Sequence, residues 1–151
     1  MAGGNSGQLV VVGVDGSDES ISALRWAGHY GAASGATVRA VRAWHFPAAA
    51  GQAPIGKAPP AVTDEVTQER LAELRESIAA AFPAGPPDSV QAKVVYGHSA
   101  EALIQQAEGA DLLVVGHKGR GAFSGMLLGS VSMHCVTHAP CPVTVVRAGE
   151  A

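Results

Sequence analysis

The chain has 151 residues, a length suited to a single domain. Hydrophobic residues make up 47% of it and charged residues 15%, a balance that excludes an intrinsically disordered chain. The net charge of −3 offers no general attraction to nucleic acid or to anionic lipid, and no apolar run approaches the ~18 residues of a membrane span. We therefore expect neither nucleic acid nor a membrane as a partner.

Two features of the sequence favour a cytoplasmic protein. Its first residues lack the positively charged start of a secretory signal peptide. Its two cysteines, Cys135 and Cys141, are too few for a disulfide framework, and we expect no stable bridge between them. Residues 1–8 are small and polar, which predicts a flexible terminus ahead of one domain over residues 9–148. Within that domain, residues 46–61 are rich in Pro, Ala and Gly without periodicity and predict a mobile loop.

Apolar runs and helical periodicities alternate along the chain. Residues 9–14 are apolar and β-branched, and they predict a first strand. Ser17 follows as the predicted N-cap of a first helix, which should bury Ile21, Leu24 and Ala27 at helical spacing. The helices are predicted over 18–33, 64–82, 100–108 (with Ser99 as N-cap) and 130–138, and the later strands over 37–44, 90–96, 112–115 and 143–147.

This alternation predicts a Rossmann-like α/β fold, a doubly wound parallel sheet of five strands with helices on both faces. The first and fourth strands have the fullest apolar character and so belong in the centre, which predicts the order 3-2-1-4-5. In that order the winding reverses between strands one and four, and ligands bind at the carboxyl ends of the strands that flank such a reversal. Asp15 follows strand one and Gly116 follows strand four. The two residues should therefore meet at one crevice.

The connection after the fourth strand is unusually long and rich in glycine. It takes residues 117–129, whereas a strand-to-helix connection usually needs about 2–6 residues. Glycines let a backbone approach a ligand closely, and the loop ends at a helix N-terminus, where free N–H groups favour an anion. Lys118 and Arg120 add positive charge that either contacts the anion or points to solvent. The stretch predicts a phosphate-binding loop.

The motif Gly116-x2-Gly119-x9-Gly129-Ser130 resembles the nucleotide-binding signature of the ATP-binding branch of the universal stress protein family. The resemblance covers nearly the whole chain, from Val-Val-Val-Gly-Val-Asp-Gly-Ser at 10–17 to Pro-Cys-Pro-Val-Thr-Val-Val-Arg at 140–147. It implies that the crevice holds an adenine nucleotide, namely ATP with or without Mg²⁺. The nominated binding residues are Gly13, Val14, Asp15, Val41, Gly116, His117, Lys118, Gly119, Arg120, Gly121, Gly129, Ser130, Val131 and Ser132.

The nominated residues have distinct roles under this hypothesis. Asp15 either accepts hydrogen bonds from ribose hydroxyls or bonds the backbone of its own turn. The resemblance places Val41 next to the adenine, and Val41 with Ala43 could supply an apolar wall. Backbone N–H groups of the glycine loop and the hydroxyl of Ser130 should bind the phosphates, with Ser132 as a weaker candidate of the same kind.

The C-terminal strand is predicted to lie at an edge of the sheet, where its backbone groups lack a partner. Pairing with the same strand of a second copy would cover that edge through two-fold symmetry. Members of the resembled family commonly form such dimers. We therefore expect a homodimer through residues 141–147.

The sequence favours nucleotide binding over fast catalysis, and no catalytic residue is nominated. It has no Walker motif and no clear second acidic residue to position a water for hydrolysis. We expect a nucleotide-loaded regulator or sensor in the stress response. Two alternatives stay open, a slow ATPase or phosphotransferase and a module for cyclic AMP or another adenylate. His134 and His138 lie four residues apart, as zinc ligands can, but a third ligand is missing nearby and we expect no metal site.

Overall fold

The computed structural model describes residues 7–46, 59–119, 125 and 127–148. Its strands form one parallel sheet in the order β3-β2-β1-β4-β5, with the helices on both faces, which confirms the predicted order and fold class. The elements are β1 (Leu9–Gly13), α1 (Asp18–Ser34), β2 (Thr37–Trp44), α2 (Asp64–Ala81), β3 (Val90–Tyr96), α3 (Ser99–Gln106), β4 (Leu112–Gly116), α4 (Ser130–His138) and β5 (Val143–Val146).

Side chains of β1 alternate between two apolar layers because successive strand residues point to opposite faces of a sheet. Val10 and Val12 pack in the layer beneath α1 and α2, together with Leu24 and Leu74. Val11 packs in the opposite layer, beneath α3 and α4. The strand is therefore buried on both faces, as its continuous apolar run predicts.

The registers bring the carboxyl ends of the central strands together. Val12 pairs with Ala40 of β2 on one side and with Val114 of β4 on the other. Just beyond β1, the backbone N–H of Val14 donates to the carbonyl of Val41 at 2.9 Å, so the pairing with β2 continues to the start of the next turn. The winding reverses between β1 and β4, and the predicted crevice lies at this edge.

The helices differ from the predictions by one or two residues at several ends, since α1 ends at Ser34, α2 at Ala81 and α3 at Gln106. α3 begins one residue early, because His98 keeps extended angles (φ −69°, ψ 142°) and is the N-cap, so Ser99 is the first helical residue. Ile21 of α1 is half-buried, since it borders a surface cavity between α1 and α2. The cap of α1 is as predicted, because the hydroxyl of Ser17 accepts from the backbone N–H of Ser20 at 3.2 Å.

Two predicted segments lie mostly outside the described residues, namely the flexible residues 1–8 and the mobile loop 46–61. Both stay predictions. In the part of the chain that the structure describes, no helix is long and apolar enough to cross a membrane.

Leu24→Ala is expected to lower the free energy of unfolding by roughly 2–5 kcal/mol, because the fully buried side chain lies between α1 and the sheet and its removal leaves a cavity. The matched change Leu127→Ala removes a side chain that is 90% exposed and should cost less than ~0.5 kcal/mol. Urea denaturation followed by circular dichroism measures both values. Equal losses in the two variants would contradict this description of the core.

Candidate functional site

A cleft of about 460 Å³, counting space open to solvent, lies at the carboxyl ends of β1 and β4. The cleft brings together both predicted motifs. The nominated residues that line it are Gly13, Val14, Asp15, Val41, Gly116, Lys118, Gly119, Val131 and Ser132.

Asp15 is held in place by its own turn. Its Oδ1 accepts a hydrogen bond from the backbone N–H of Ser17 at 2.9 Å and a second one from the Ser17 hydroxyl. The backbone N–H of Asp15 donates to the hydroxyl of Ser20 at 3.2 Å. The turn-stabilising role of Asp15 is therefore present, and it fixes the direction of the carboxylate.

The other carboxylate oxygen of Asp15 faces the glycine loop. A Cβ built on Gly119 would lie 2.6 Å from Asp15 Oδ2, closer than any real side chain approaches. The two residues come from segments about a hundred residues apart and meet across the cleft. A side chain at position 119 would therefore displace the Asp15 carboxylate or the loop.

The ends of the glycine loop are tied together at β4. The backbone N–H of Gly129 donates to the carbonyl of His117 at 3.0 Å, and the hydroxyl of Ser132 donates to the carbonyl of Gly116. A Cβ on Gly129 would lie 3.2 Å from Lys118 Cα, so this second glycine also permits a close crossing of backbones. These bonds hold the start of the loop beside the first turn of α4.

The cleft has an apolar wall on the side of α3. Val41 and Ala43 of β2 line it, as the sequence suggests, and Leu103 and Val115 join them. A Cβ on Gly13 would lie 2.6 Å from Leu103 Cδ1, which shows how tightly α3 approaches the end of β1. Leu103 and Val115 are not among the binding residues nominated from the sequence. The apolar run of β4 could have suggested Val115.

The remaining nominated residues fall into three groups. Arg120 and Gly121 are outside the described residues. His117 and Gly129 form the closed base of the loop and do not line the cleft. Ser130 is exposed at the start of α4 and lines a neighbouring cavity.

The site can supply anion-binding groups on one side and hydrogen-bond acceptors on the other. Lys118 lines the cleft together with Val131 and Ser132 of the first turn of α4. The N-cap of α4 is Gly129, which has no side chain to cap the N–H groups of that turn. Asp15 is the only carboxylate among the described residues that line the cleft. Among the described residues, no group of three or more His, Cys, Asp or Glu side chains is arranged to hold a metal ion.

Cys135 of α4 is expected to react far more slowly with iodoacetamide than Cys141. Burial, and to a smaller extent the negative charge of Glu101, raises the pKa of the Cys135 thiol to about 11, so little of the reactive thiolate exists near neutral pH. Burial also raises the pKa of Cys141, but that side chain is only partly enclosed.

Both cysteines lie on the tryptic peptide of residues 121–147, so its fragmentation by tandem mass spectrometry assigns the label to each one. After timed labelling, modification of Cys135 in the folded protein should be at least ~10-fold slower than that of Cys141. The two thiols should react alike in denaturant. Equal rates in the folded protein would contradict the packing of α4. Because folding raises the pKa of the Cys135 thiol, the protonated thiol stabilises the fold below the ordinary cysteine pKa of 9.0, and this contribution is lost as the pH rises toward 11.

Comparisons with known proteins show which family the chain belongs to. The family model described as "Universal stress protein family" matches residues 8–147. The chain belongs to the universal stress protein family. It is 34% identical over 140 residues to a universal stress protein of Mycolicibacterium smegmatis and 36% identical over 138 residues to one of Mycobacterium tuberculosis. Each alignment covers 91% of this chain and 45% of the relative, so the chain spans about half the length of these relatives.

Solved universal stress proteins share the fold. One, solved in complex with cyclic AMP, is 35% identical with a TM-score of 0.65, over 92% of this chain and 95% of that one. The protein from Lactobacillus plantarum has 22% identity and a TM-score of 0.68, over 93% and 98% of the two chains. One from Archaeoglobus fulgidus, solved with dAMP, has 19% identity and a TM-score of 0.62, over 92% and 97%. The last two likenesses concern the fold alone.

Proposed function

We propose that this universal stress protein binds an adenine nucleotide in the cleft between β1 and β4, that the physiological ligand is ATP, and that the loaded protein acts as a regulator or sensor in the stress response. One observation carries the proposal. The carboxylate of Asp15 and the backbone of Gly119 lie against each other at the same cleft, at the winding reversal of the sheet.

The proposed pose follows the chemistry of the walls. Adenine lies on the apolar side formed by Val41, Ala43 and Leu103. The ribose hydroxyls donate to the Asp15 carboxylate, which its turn already orients. The phosphates run along the glycine loop, where backbone N–H groups and the ammonium group of Lys118 favour negative charge. Mg²⁺, where present, would travel with the phosphates.

The proposal favours holding ATP over hydrolysing it. Fast phosphoryl transfer needs a group that orients the attacking nucleophile in addition to a clamp on the phosphates. Among the described residues that line the cleft, Asp15 is the only carboxylate, and the proposed pose commits it to the ribose. Hydrolysis or phosphoryl transfer would then be slow.

Cyclic AMP is the second candidate ligand, because the relative solved with cyclic AMP is 35% identical to this chain. The two ligands share the adenine and ribose contacts, but a cyclic monophosphate makes little use of the loop. Calorimetric competition on nucleotide-free protein separates them. ATP should displace cyclic AMP at a lower concentration than cyclic AMP needs to displace ATP. The opposite result would favour cyclic AMP as the physiological ligand.

The ligand can be identified directly after purification. The protein is purified without added nucleotide, denatured by heat, and the supernatant is examined by mass spectrometry. We expect ATP or its hydrolysis product at a substantial fraction of the protein concentration. Absence of any nucleotide, together with no heat of binding for ATP or cyclic AMP, would refute the proposal.

We also propose that the protein works as a cytoplasmic homodimer through residues 141–147. β5 pairs with β4 on one side and lies at an edge of the described sheet, which leaves its other side open for a second copy. Cys135 and Cys141 are free thiols, as is usual for cysteines in a reducing compartment. Analytical ultracentrifugation should give twice the chain mass for the wild type. Val145→Pro should give the monomer mass, because proline cannot donate the backbone hydrogen bond that a paired strand needs. A monomeric wild type would contradict this proposal.

A further inference from the structure

A second cavity adjoins the proposed nucleotide cleft. It is open to solvent, with His45 and His98 exposed, and shares Ser99 and Val131 with the cleft. Three histidines line it, namely His45, His98 and His134. We call it the histidine cavity. Neither the motif nor the proposed function assigns it a role.

The three histidines come from different parts of the fold. His45 follows β2 and His98 follows β3, and because Trp44 pairs with Tyr96 the two strands end side by side. The rings of His45 and His98 lie 4.0 Å apart between centroids. His134 stands one turn into α4, with its ring 4.7 Å from that of His138. The topology thus gathers imidazoles at the mouth of the cleft.

The position of Ser130 connects this cavity to the nucleotide. Ser130 is the last residue of the phosphate-binding motif, yet it is exposed and lines the histidine cavity instead of the cleft. A ligand whose ribose contacts Asp15 and whose terminal phosphates reach Ser130 must therefore extend toward the histidines. A monophosphate attached to the ribose would end within the cleft, near Gly119.

We propose that the histidine cavity is a protonation-dependent subsite for the terminal phosphates, so that His45, His98 and His134 make the protein select nucleoside triphosphates over monophosphates more strongly as the pH falls. The inference rests on the proposed function, since it concerns the far end of the same ligand. Histidine is the side chain whose charge ordinarily changes between about pH 5 and 8, and imidazolium groups donate charge-assisted hydrogen bonds to phosphate.

The neighbouring charges determine the sign of the effect. Glu101 lines the cavity, His138 contacts His134, and Lys118 lines the adjoining cleft. When the histidines are neutral, Glu101 leaves the cavity negative and opposes phosphate. When they are protonated, their charge outweighs that of Glu101. Bound phosphate therefore favours the protonated form, and the gain in affinity is present at low pH and is lost as the pH rises.

Calorimetry with ATP and with AMP, at about pH 6 and about pH 8, tests the subsite on the protein freed of nucleotide. The test variant carries His45→Gln, His98→Gln and His134→Gln. The matched control is His29→Gln, an exposed histidine of α1 whose ring contacts Phe82. Each ligand also takes up a proton in this pH range. That protonation is the same whichever protein is titrated, so it cancels when the wild type and the variants are compared at the same two pH values.

The measured quantity is the ratio of the affinity for ATP to the affinity for AMP. In the wild type and in His29→Gln, this ratio should be about tenfold higher at the lower pH than at the higher one. In the triple variant the rise in this ratio on lowering the pH should be about tenfold smaller than in the wild type, while the affinity for AMP stays at the wild-type value and shows that the cleft is intact. An unchanged rise in the triple variant would overturn the inference and leave nucleotide binding standing. A wild type that binds neither ligand would overturn the proposed function as well.

Discussion

Replacing Gly119 with valine is expected to lower the affinity for adenine nucleotides about 100-fold, with a change of only a few degrees in Tm. The new Cβ would lie 2.6 Å from Asp15 Oδ2, so either the carboxylate or the loop must move. An overpacked contact of this kind costs roughly 1–3 kcal/mol, which corresponds to about 10–100-fold in a binding constant. Asp15 and Gly119 line the cleft and are not part of the two apolar layers. The clash should therefore lower the affinity for the nucleotide more than the stability of the fold.

The control for this variant is Gly7→Val, the same change at a glycine where a Cβ would meet no other atom within 4 Å. Calorimetric titration with ATP gives the affinities, and thermal denaturation without ligand gives the stabilities. Gly7→Val should match the wild type in both. If Gly119→Val also bound ATP like the wild type, the phosphates could not lie against this part of the loop.

Asp15→Asn is expected to weaken ATP binding about 10–100-fold, because hydrogen bonds to a charged group contribute about 1.5–3 kcal/mol. The asparagine oxygen can still accept from the backbone N–H and the hydroxyl of Ser17, so the turn should persist. Its NH₂ group would then face the ribose where an acceptor is needed. The loss should be similar for ATP and for cyclic AMP if the ligand offers its 2′-hydroxyl to this residue.

The exposed Asp18 of α1 serves as the control, since Asp18→Asn removes the same charge outside the residues that line the cleft. The Asp15 variant also distinguishes two poses. If the phosphates lay against Asp15, removing its negative charge would strengthen the binding of ATP. Tighter binding by Asp15→Asn would therefore reverse the proposed orientation of the nucleotide.

The sequence was sufficient to predict the sheet and the meeting of the two motifs. A continuous apolar run marks a strand that is buried on both faces, and two such runs define the centre of the sheet. Gly116 ends β4 and Asp15 lies two residues beyond β1, so their positions depend on topology alone. Short-range chemistry likewise predicted Ser17 as a helix cap.

What the sequence did not reveal depends on how elements pack. The contact of Leu103 with the end of β1 requires the approach of α3 to Gly13, which no spacing in the sequence specifies. The exposure of Ser130 depends on the rotation of α4 about its axis. His45 and His98 become neighbours only because β2 and β3 end in register, and that register is a property of the sheet.

A crystal structure of the protein with ATP tests the central claim most directly. The account predicts density for one nucleotide between β1 and β4, with the ribose hydroxyls within hydrogen-bond distance of the Asp15 carboxylate and the phosphates along the loop from Gly119 to Ser130. Nucleotide density at another surface, with this cleft empty in crystals of a protein that binds ATP in solution, would contradict it.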